Sequence, residues 1–247
     1  MALLVESLKE WFNAGLSFLY PESCQICAKE RASPAQGFLC DSCRRKIKCI
    51  TPPFCRRCGL PFEGALTTAF DCPNCVEEEP QFSFARAAVV ARDPVLEIIH
   101  RYKYQSAFWF ESFLARLLIE TAAPELAMQK WDFIVPVPLH PTKLREREFN
   151  QAERLAARLS AATQIPLKTR LVRRVVPTRT QTQLTREQRR ANVRRAFVPV
   201  TSPDLKGRRL ILVDDVFTTG ATTSACAGAL RKGGASEVCV WTAARGI

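Results

Sequence analysis

The stretch LILVDDVFTTGATT, Leu210 to Thr223, decides the fold. Leu210-Ile211-Leu212-Val213 is a continuous apolar run rich in branched side chains. Such a run reads as a strand buried on both faces, as in a parallel sheet. Asp214 and Asp215 close it. Thr218-Thr219-Gly220-Ala221-Thr222 is then a loop of small hydroxyl residues around one glycine. A helical pattern from Ser224 to Arg231 follows, stopped by Gly233-Gly234. The order is strand, acidic pair, hydroxyl loop, helix N-terminus. A plain strand–turn–helix would need Asp and Thr only as caps; the whole combination asks for more.

Backbone N–H groups at a helix N-terminus, with Thr hydroxyls beside them, make a seat for a phosphate. Gly220 lets the backbone come close to the anion. Two carboxylates at the strand end accept hydrogen bonds from a vicinal diol or hold Mg²⁺ through water. Together these describe a reader of ribose 5-phosphate. The stretch resembles the phosphoribosyl diphosphate (PRPP) loop of type I phosphoribosyltransferases. That resemblance implies that Asp214 and Asp215 contact the ribose hydroxyls. It also implies that Thr218, Thr219, Gly220, Ala221 and Thr222 bind the 5-phosphate.

A second strand signal, DFIVPVPL from Asp132 to Leu139, leads to the other half of such a site. Pro136 and Pro138 lack ladder donors, so the strand breaks into a loop at its C-terminal end. Ligands of open α/β sheets bind at that end. Lys143, Arg145 and Arg147 follow there, with His140, and a helix runs on to about Ala162. Clustered cations beside a strand end hold a pyrophosphate by charge-assisted hydrogen bonds. Arg–Glu pairing along a helix start is the plainer reading of the same residues.

The chain has 36 basic and 24 acidic residues, a net charge of +12. Between His140 and Arg195 there are 15 Lys or Arg against 4 Glu, so nearly all the excess sits there. A concentrated basic field implies an anionic partner. Residues 177–186 have many side-chain donors and no apolar periodicity, which suits either a lid over the ligand or a solvated loop. Arg186, Arg189, Arg190, Arg194 and Arg195 follow and are the candidate contacts to nucleic-acid phosphates.

Eight of the eleven cysteines form four CxxC pairs: Cys24/Cys27, Cys40/Cys43, Cys55/Cys58 and Cys72/Cys75. Each pair supplies two thiolates from one tight knuckle, as a tetrahedral Zn²⁺ site requires. Gaps of 12 and 13 residues separate the pairs within each half, which suggests two zinc ribbons in tandem. Interleaved pairing, first with third and second with fourth, is the alternative the spacing leaves open. Gly59, directly after Cys58, suits a left-handed knuckle turn. With all eight thiolates used as ligands, the zinc is structural. Cys226 and Cys239 lie in core-like runs and read as small hydrophobes.

Residues 1–20 place Leu4, Leu8, Trp11 and Phe12 at helical spacing and read as an amphipathic helix. Residues 21–79 hold the double zinc ribbon, and residues 82–247 hold the α/β domain. Within the latter, Phe84–Ala91 reads as a strand, Pro94–Tyr102 as a helix, Trp109–Thr121 as another, and Val238–Thr242 as the last strand. No run of about 18 apolar residues occurs and no cleavable signal peptide is evident, so no membrane span and a cytoplasmic location are expected.

Four signatures stand in one order: the CxxC knuckles, VPVPLHPTKLREREFNQA, RTQTQLTREQRRANVRRAF and LILVDDVFTTGATT. From Cys24 onward the chain resembles the ComF family of competence-related proteins. Glu148 stands where that family usually has glycine. The resemblance implies an N-terminal double zinc ribbon on a type I phosphoribosyltransferase-like open, mostly parallel sheet. It implies two structural zinc ions, and Mg²⁺ with a phosphoribosyl ligand. It also implies single-stranded DNA and the DNA-uptake machinery as partners. The motifs name no acceptor. An active transferase on a nitrogenous acceptor and a PRPP-sensing regulator acting through the ribbons both remain compatible with them.

Overall fold

A computed structural model describes residues 23–62, 64, 70–176, 195–200 and 205–247. The N-terminal helix expected over 1–20, the stretch 177–186 and Arg186, Arg189, Arg190 and Arg194 lie outside the described residues.

In chain order, the ribbon region contains the short helices α1 (Asp41–Arg45) and α2 (Pro73–Glu77). Then come β1 (Ala85–Val90), α3 (Val95–Tyr104), α4 (Glu111–Leu126), β2 (Phe133–Pro136), α5 (Pro141–Arg147) and α6 (Gln151–Thr163). The chain finishes with β3 (Val172–Arg174), β4 (Phe197–Pro199), β5 (Arg209–Phe217), α7 (Ala221–Lys232) and β6 (Glu237–Arg245). Four strands form one parallel sheet in the order β1-β6-β5-β2. This is the open parallel sheet expected from the β5 stretch. A separate antiparallel pair, β3 and β4, lies apart from it.

Leu210 to Val213 are each 0% exposed, as a strand covered on both faces must be. Alternation splits them between two cores. Ile211 and Val213 join a core built from α3, α4 and α6, with Ile98, Phe113, Leu114, Leu118, Leu155 and Leu159. Leu210 and Leu212 join a second core with Ala225, Cys226 and Leu230 of α7, Phe197 of β4, and Cys55, Cys58, Cys72 and Cys75. Cys226 and Cys239 are fully buried, in keeping with small core hydrophobes.

The ribbons are packed against this sheet layer by specific contacts. Arg101 Nη1 donates to the Gln25 carbonyl at 2.6 Å, and Arg44 sits over the Phe113 ring at 5.5 Å. On the other side, the Ala85 N–H donates to the Arg57 carbonyl at 2.6 Å and Arg86 Nη1 to the Arg56 carbonyl at 3.0 Å. Gly59 has φ +66°, and a Cβ there would lie 2.7 Å from the Ala85 carbonyl oxygen. The knuckle turn therefore needs glycine for both its conformation and its close approach to β1.

Two expectations change. Lys103 and Tyr104 belong to the last turn of α3 rather than following it. The segment after β2 is not a loop leading into one helix; it is two helices, α5 and α6. Glu148 breaks them, at φ +64° in the left-handed region, with its N–H on the Leu144 carbonyl at 2.8 Å. That conformation explains why glycine would serve here. Asn150 then caps α6 and ties it to β2 by donating Nδ2–H to the Val137 carbonyl at 3.1 Å.

Candidate functional site

β2 ends at Pro136, opposite Val213 of β5. The Val137 N–H still reaches the Val213 carbonyl at 2.9 Å, but the ladder goes no further. Asp214 and Asp215 are thus the first β5 residues with no β2 partner, at the C-terminal edge where open α/β sheets bind ligands. On the other side β5 stays paired with β6, Asp214 lying opposite Thr242.

The two acids have different surroundings. Asp215 is 2% exposed and forms an ion pair with Lys103 from the end of α3. Gln151 Nε2 donates to its Oδ1 at 3.5 Å. Burial pushes this carboxyl up most, but the Lys103 charge together with the hydrogen bonds to Lys103, Asp214 and Gln151 holds it below the usual carboxylate range. Asp214 is partly accessible, and its Oδ1 accepts the Asp215 N–H at 2.9 Å. Burial, then the neighbouring Asp215 charge, push its carboxyl well above the usual range. Two adjacent carboxylates share one close ammonium, so Asp214 has the electrostatic character of an anion that gains from a cation or from hydroxyl donors.

Thr218 and Thr219 are exposed at the start of the loop. Gly220 has φ +80° and caps α7 at its N-terminus. The Ala221 N–H donates to Thr219 Oγ1 at 3.4 Å, and buried Thr223 donates its hydroxyl to the Gly220 carbonyl at 3.1 Å. The Thr219 hydroxyl therefore stands beside the first amide of α7, at the kind of helix N-terminus that phosphate seats use. A Cβ on Gly220 would stand 2.5 Å from Phe217 Cζ. Gly220→Ala is expected to cost about 1–3 kcal/mol through the left-handed backbone and to displace the loop. A urea midpoint unchanged from wild type would contradict this.

The diphosphate candidates are distributed along α5. His140 is the N-cap of that helix, its Nδ1 accepting the Thr142 N–H at 3.3 Å. Lys143 is half-buried and Arg145 exposed. Arg147 lies over the Tyr104 ring at 4.7 Å, donates to the Tyr104 hydroxyl at 3.0 Å, and donates to Gln151 Oε1 at 3.1 Å. Gln151 in turn reaches Asp215. A continuous polar chain thus joins α5 to the acidic pair: Tyr104, Arg147, Gln151, Asp215, Lys103. A cavity of about 120 Å³ opens alongside, lined by Lys103, Tyr104, Ser106, Glu146, Arg147 and Glu148.

Three residues join the site that the sequence did not single out: Lys103, Gln151 and Arg174. Arg174 at the end of β3 is half-buried, stacked over Phe197 at 5.4 Å, and lies within charge reach of Asp214. Burial lowers its pKa and the Asp214 charge opposes that. Arg195 is exposed just before β4. Arg174 pairs with Phe197 in register, so the described residues on either side of 177–194 stand on neighbouring strands.

The cysteine pairing is now determined. Cys24, Cys27, Cys40 and Cys43 form one group and Cys55, Cys58, Cys72 and Cys75 another, each with all sulfurs within 4.8 Å of one another. The pairing is sequential, not interleaved. Cys27 and Cys40 Sγ stand 3.7 Å apart, and Cys58 and Cys72 Sγ 3.5 Å. A tetrahedron with Zn–S of about 2.3 Å has an edge of roughly 3.8 Å; a disulfide would need about 2.05 Å. The Cys43 N–H points at Cys40 Sγ at 3.4 Å and the Cys72 N–H at Cys55 Sγ at 3.3 Å, the knuckle bonds that stabilise bound thiolates. Both groups fit structural zinc. No helix among the described residues is long and apolar enough to cross a membrane.

Residues 15–78 match the double zinc ribbon domain family. Competence protein F of Haemophilus influenzae is 36% identical over 85% of this chain and 92% of its own length. DNA utilization protein YhgH of Escherichia coli is 31% identical over 91% of this chain and 97% of its own. Competence protein ComFC of Bacillus subtilis is 26% identical over 84% of each. Among solved structures, glutamine phosphoribosylpyrophosphate amidotransferase from B. subtilis, complexed with ADP and GMP, superposes with a TM-score of 0.35 at 24% identity. It covers 53% of this chain and 25% of that one. Purine phosphoribosyltransferase from Pyrococcus horikoshii gives 0.33 at 24% identity, over 53% of this chain and 71% of that one. At such scores the fold assignment rests on strand order and the β5–α7 junction.

Proposed function

The chain belongs to the ComF family of competence and DNA-utilization proteins, and from that premise we propose that it binds PRPP with Mg²⁺ as a cytoplasmic accessory to the uptake or processing of single-stranded DNA. The observation that carries this reading is the acidic pair that begins where pairing with β2 ends, directly ahead of the hydroxyl loop and the α7 N-terminus. Asp214 and Asp215 receive the ribose hydroxyls, and Asp214 faces Mg²⁺ through water. Thr218 to Thr222 take the 5-phosphate. His140, Lys143, Arg145 and Arg147 face the diphosphate, with Arg147 presented by Tyr104 and Gln151. Mg²⁺, when bound, neutralises the phosphates and adds the cation that two carboxylates and one lysine leave wanting. A transferase reaction would use the same residues to position the ribose and stabilise charge.

Thermal shift provides the test. A ligand that binds only the folded state raises the melting temperature with concentration. PRPP with Mg²⁺ is expected to raise it more than ribose 5-phosphate or pyrophosphate alone. No shift with any of the three would overturn the phosphoribosyl reading.

The DNA arm rests on the basic excess of residues 140–195 and on Arg195, exposed just before β4. Replacing Arg189, Arg190 and Arg194 by alanine is expected to weaken single-strand binding more than tenfold and to flatten the log–log salt slope by about 2, at roughly 0.7 per phosphate contact. Unchanged affinity and slope would show that DNA, if bound, is held elsewhere.

A further inference from the structure

Arg245, the last residue of β6, is 4% exposed. Its guanidinium lies over the Phe217 ring at 4.6 Å. Nη1 donates to the Thr218 carbonyl at 3.2 Å, and Nη2 donates to Cys58 Sγ at 3.2 Å. One buried side chain therefore touches a thiolate of the second zinc group and the first residue of the phosphate loop.

A guanidinium keeps its charge in a protein, and a buried charge without a counter-charge is costly. Among the described residues no carboxylate forms an ion pair with Arg245. The anionic group that remains is the zinc cluster: four thiolates on one Zn²⁺ carry a net charge of about −2. Arg245 is thus built to neutralise the second cluster, and its other arm fixes the loop. The Gly246 N–H adds a second tie, to the Phe217 carbonyl at 2.8 Å. Phe217 is also the ring against which Gly220 closes. The physical path runs Cys58, Arg245, Phe217 and Thr218, Gly220.

We propose that Arg245 is a positioning residue that makes the shape of the 5-phosphate loop depend on zinc in the Cys55–Cys58–Cys72–Cys75 site. With zinc bound, the guanidinium is held between sulfur and carbonyl, and Thr218 to Thr222 keep the form of the phosphate seat. Without zinc, the arginine loses its anion and the loop loses its clamp. Among the described residues the first zinc group shows no such link, and its ribbon contacts α3 and α4 instead. The ligand arm of the proposal rests on the phosphoribosyl reading above; the loop arm does not.

Coupling between two sites is reciprocal in binding free energy. Two measurements on the full-length, two-zinc protein therefore test it. The first is hydrogen exchange over residues 216–224 in wild type, Arg245→Met and Arg245→Lys, each checked for two zinc ions per chain. Exchange is expected to speed up at least tenfold in Arg245→Met. Arg245→Lys keeps the cation without the two-armed fork, and an intermediate rate is expected. Wild type stripped of its second-site zinc by a chelator should show the same acceleration with no substitution at all. The second measurement is zinc release to a chromogenic chelator with and without PRPP and Mg²⁺. PRPP is expected to slow release of one of the two ions at least fivefold in wild type and to leave Arg245→Met unaffected. Unchanged exchange in both variants and in the stripped wild type would overturn the coupling. Absence of any PRPP effect in wild type, with accelerated exchange in the variants, would instead remove the phosphoribosyl reading and leave the zinc–loop clamp standing.

Discussion

Replacing Cys75 by serine is expected to leave one zinc ion per chain and to lower the melting temperature by about 10 °C or more, given the free energy of structural zinc and the usual shift per kcal/mol. The reason is where the second site sits. Cys55, Cys58, Cys72 and Cys75 share a core cluster with Leu210, Leu212 and Val240 of the central sheet. The knuckle is tied to β1 through Arg56 and Arg57, and to β6 through Arg245. Loss of that metal removes a wall of the second core. Cys43→Ser should have a smaller effect, because Cys24, Cys40 and Cys43 form a cluster of their own with Ala32. Elemental analysis and differential scanning calorimetry check both; equal losses, or one zinc in the wild type, would contradict the asymmetry.

Asp214→Asn is expected to stabilise the ligand-free protein at neutral pH while reducing affinity for PRPP with Mg²⁺ by about 100-fold, the worth of one or two charge-assisted hydrogen bonds. The sign follows from the direction of its pKa. Burial and the Asp215 charge raise the folded-state value of Asp214 well above the ordinary one. A group raised on folding favours the folded state below its unfolded pKa, about 3.9; that advantage is lost as pH rises through the folded pKa. Near pH 7 this acid therefore costs stability, and asparagine removes the cost. The gain should be a few degrees, at roughly 2–4 °C per kcal/mol, and should vanish near pH 4. Asp215 behaves oppositely. Burial opposes ionisation, but the Lys103 charge and the hydrogen bonds to Lys103, Asp214 and Gln151 together lower its pKa, so its contribution is present above about pH 3.9 and lost as pH falls through the folded value. Asp215→Asn would leave Lys103, 15% exposed, without its anion and should destabilise by about 3–5 kcal/mol at pH 7. Equal melting shifts for the two variants would contradict this division of roles.

The parts of this fold that could be read from the sequence are those set by local pattern. The unbroken run Leu210–Val213 announces a doubly covered strand because nothing polar interrupts it. Pro136 marks the end of β2 because it has no donor to offer. Four CxxC knuckles predict two metal sites, although the sulfur positions were needed to exclude interleaved pairing. What escaped is long-range. Lys103 is one cation among many until α3 carries it to Asp215. Arg245 is a terminal basic residue until β6 places it against Cys58, 187 positions away. The break at Glu148 was hidden because its left-handed turn is made by a residue that rarely adopts it. The basic stretch 186–194 lies outside the described residues and can be read only as charge.

The central claim is that the junction of β5 and α7 is a phosphoribosyl site. Calorimetric titration of the two-zinc protein with PRPP and Mg²⁺, beside the Asp214→Asn/Asp215→Asn double variant, addresses it most directly. Saturable heat in the wild type, abolished in a variant that retains both zinc ions, is the predicted result. Equal heats from both proteins would place the ligand away from the acidic pair, and no heat from either would reduce the junction to scaffold.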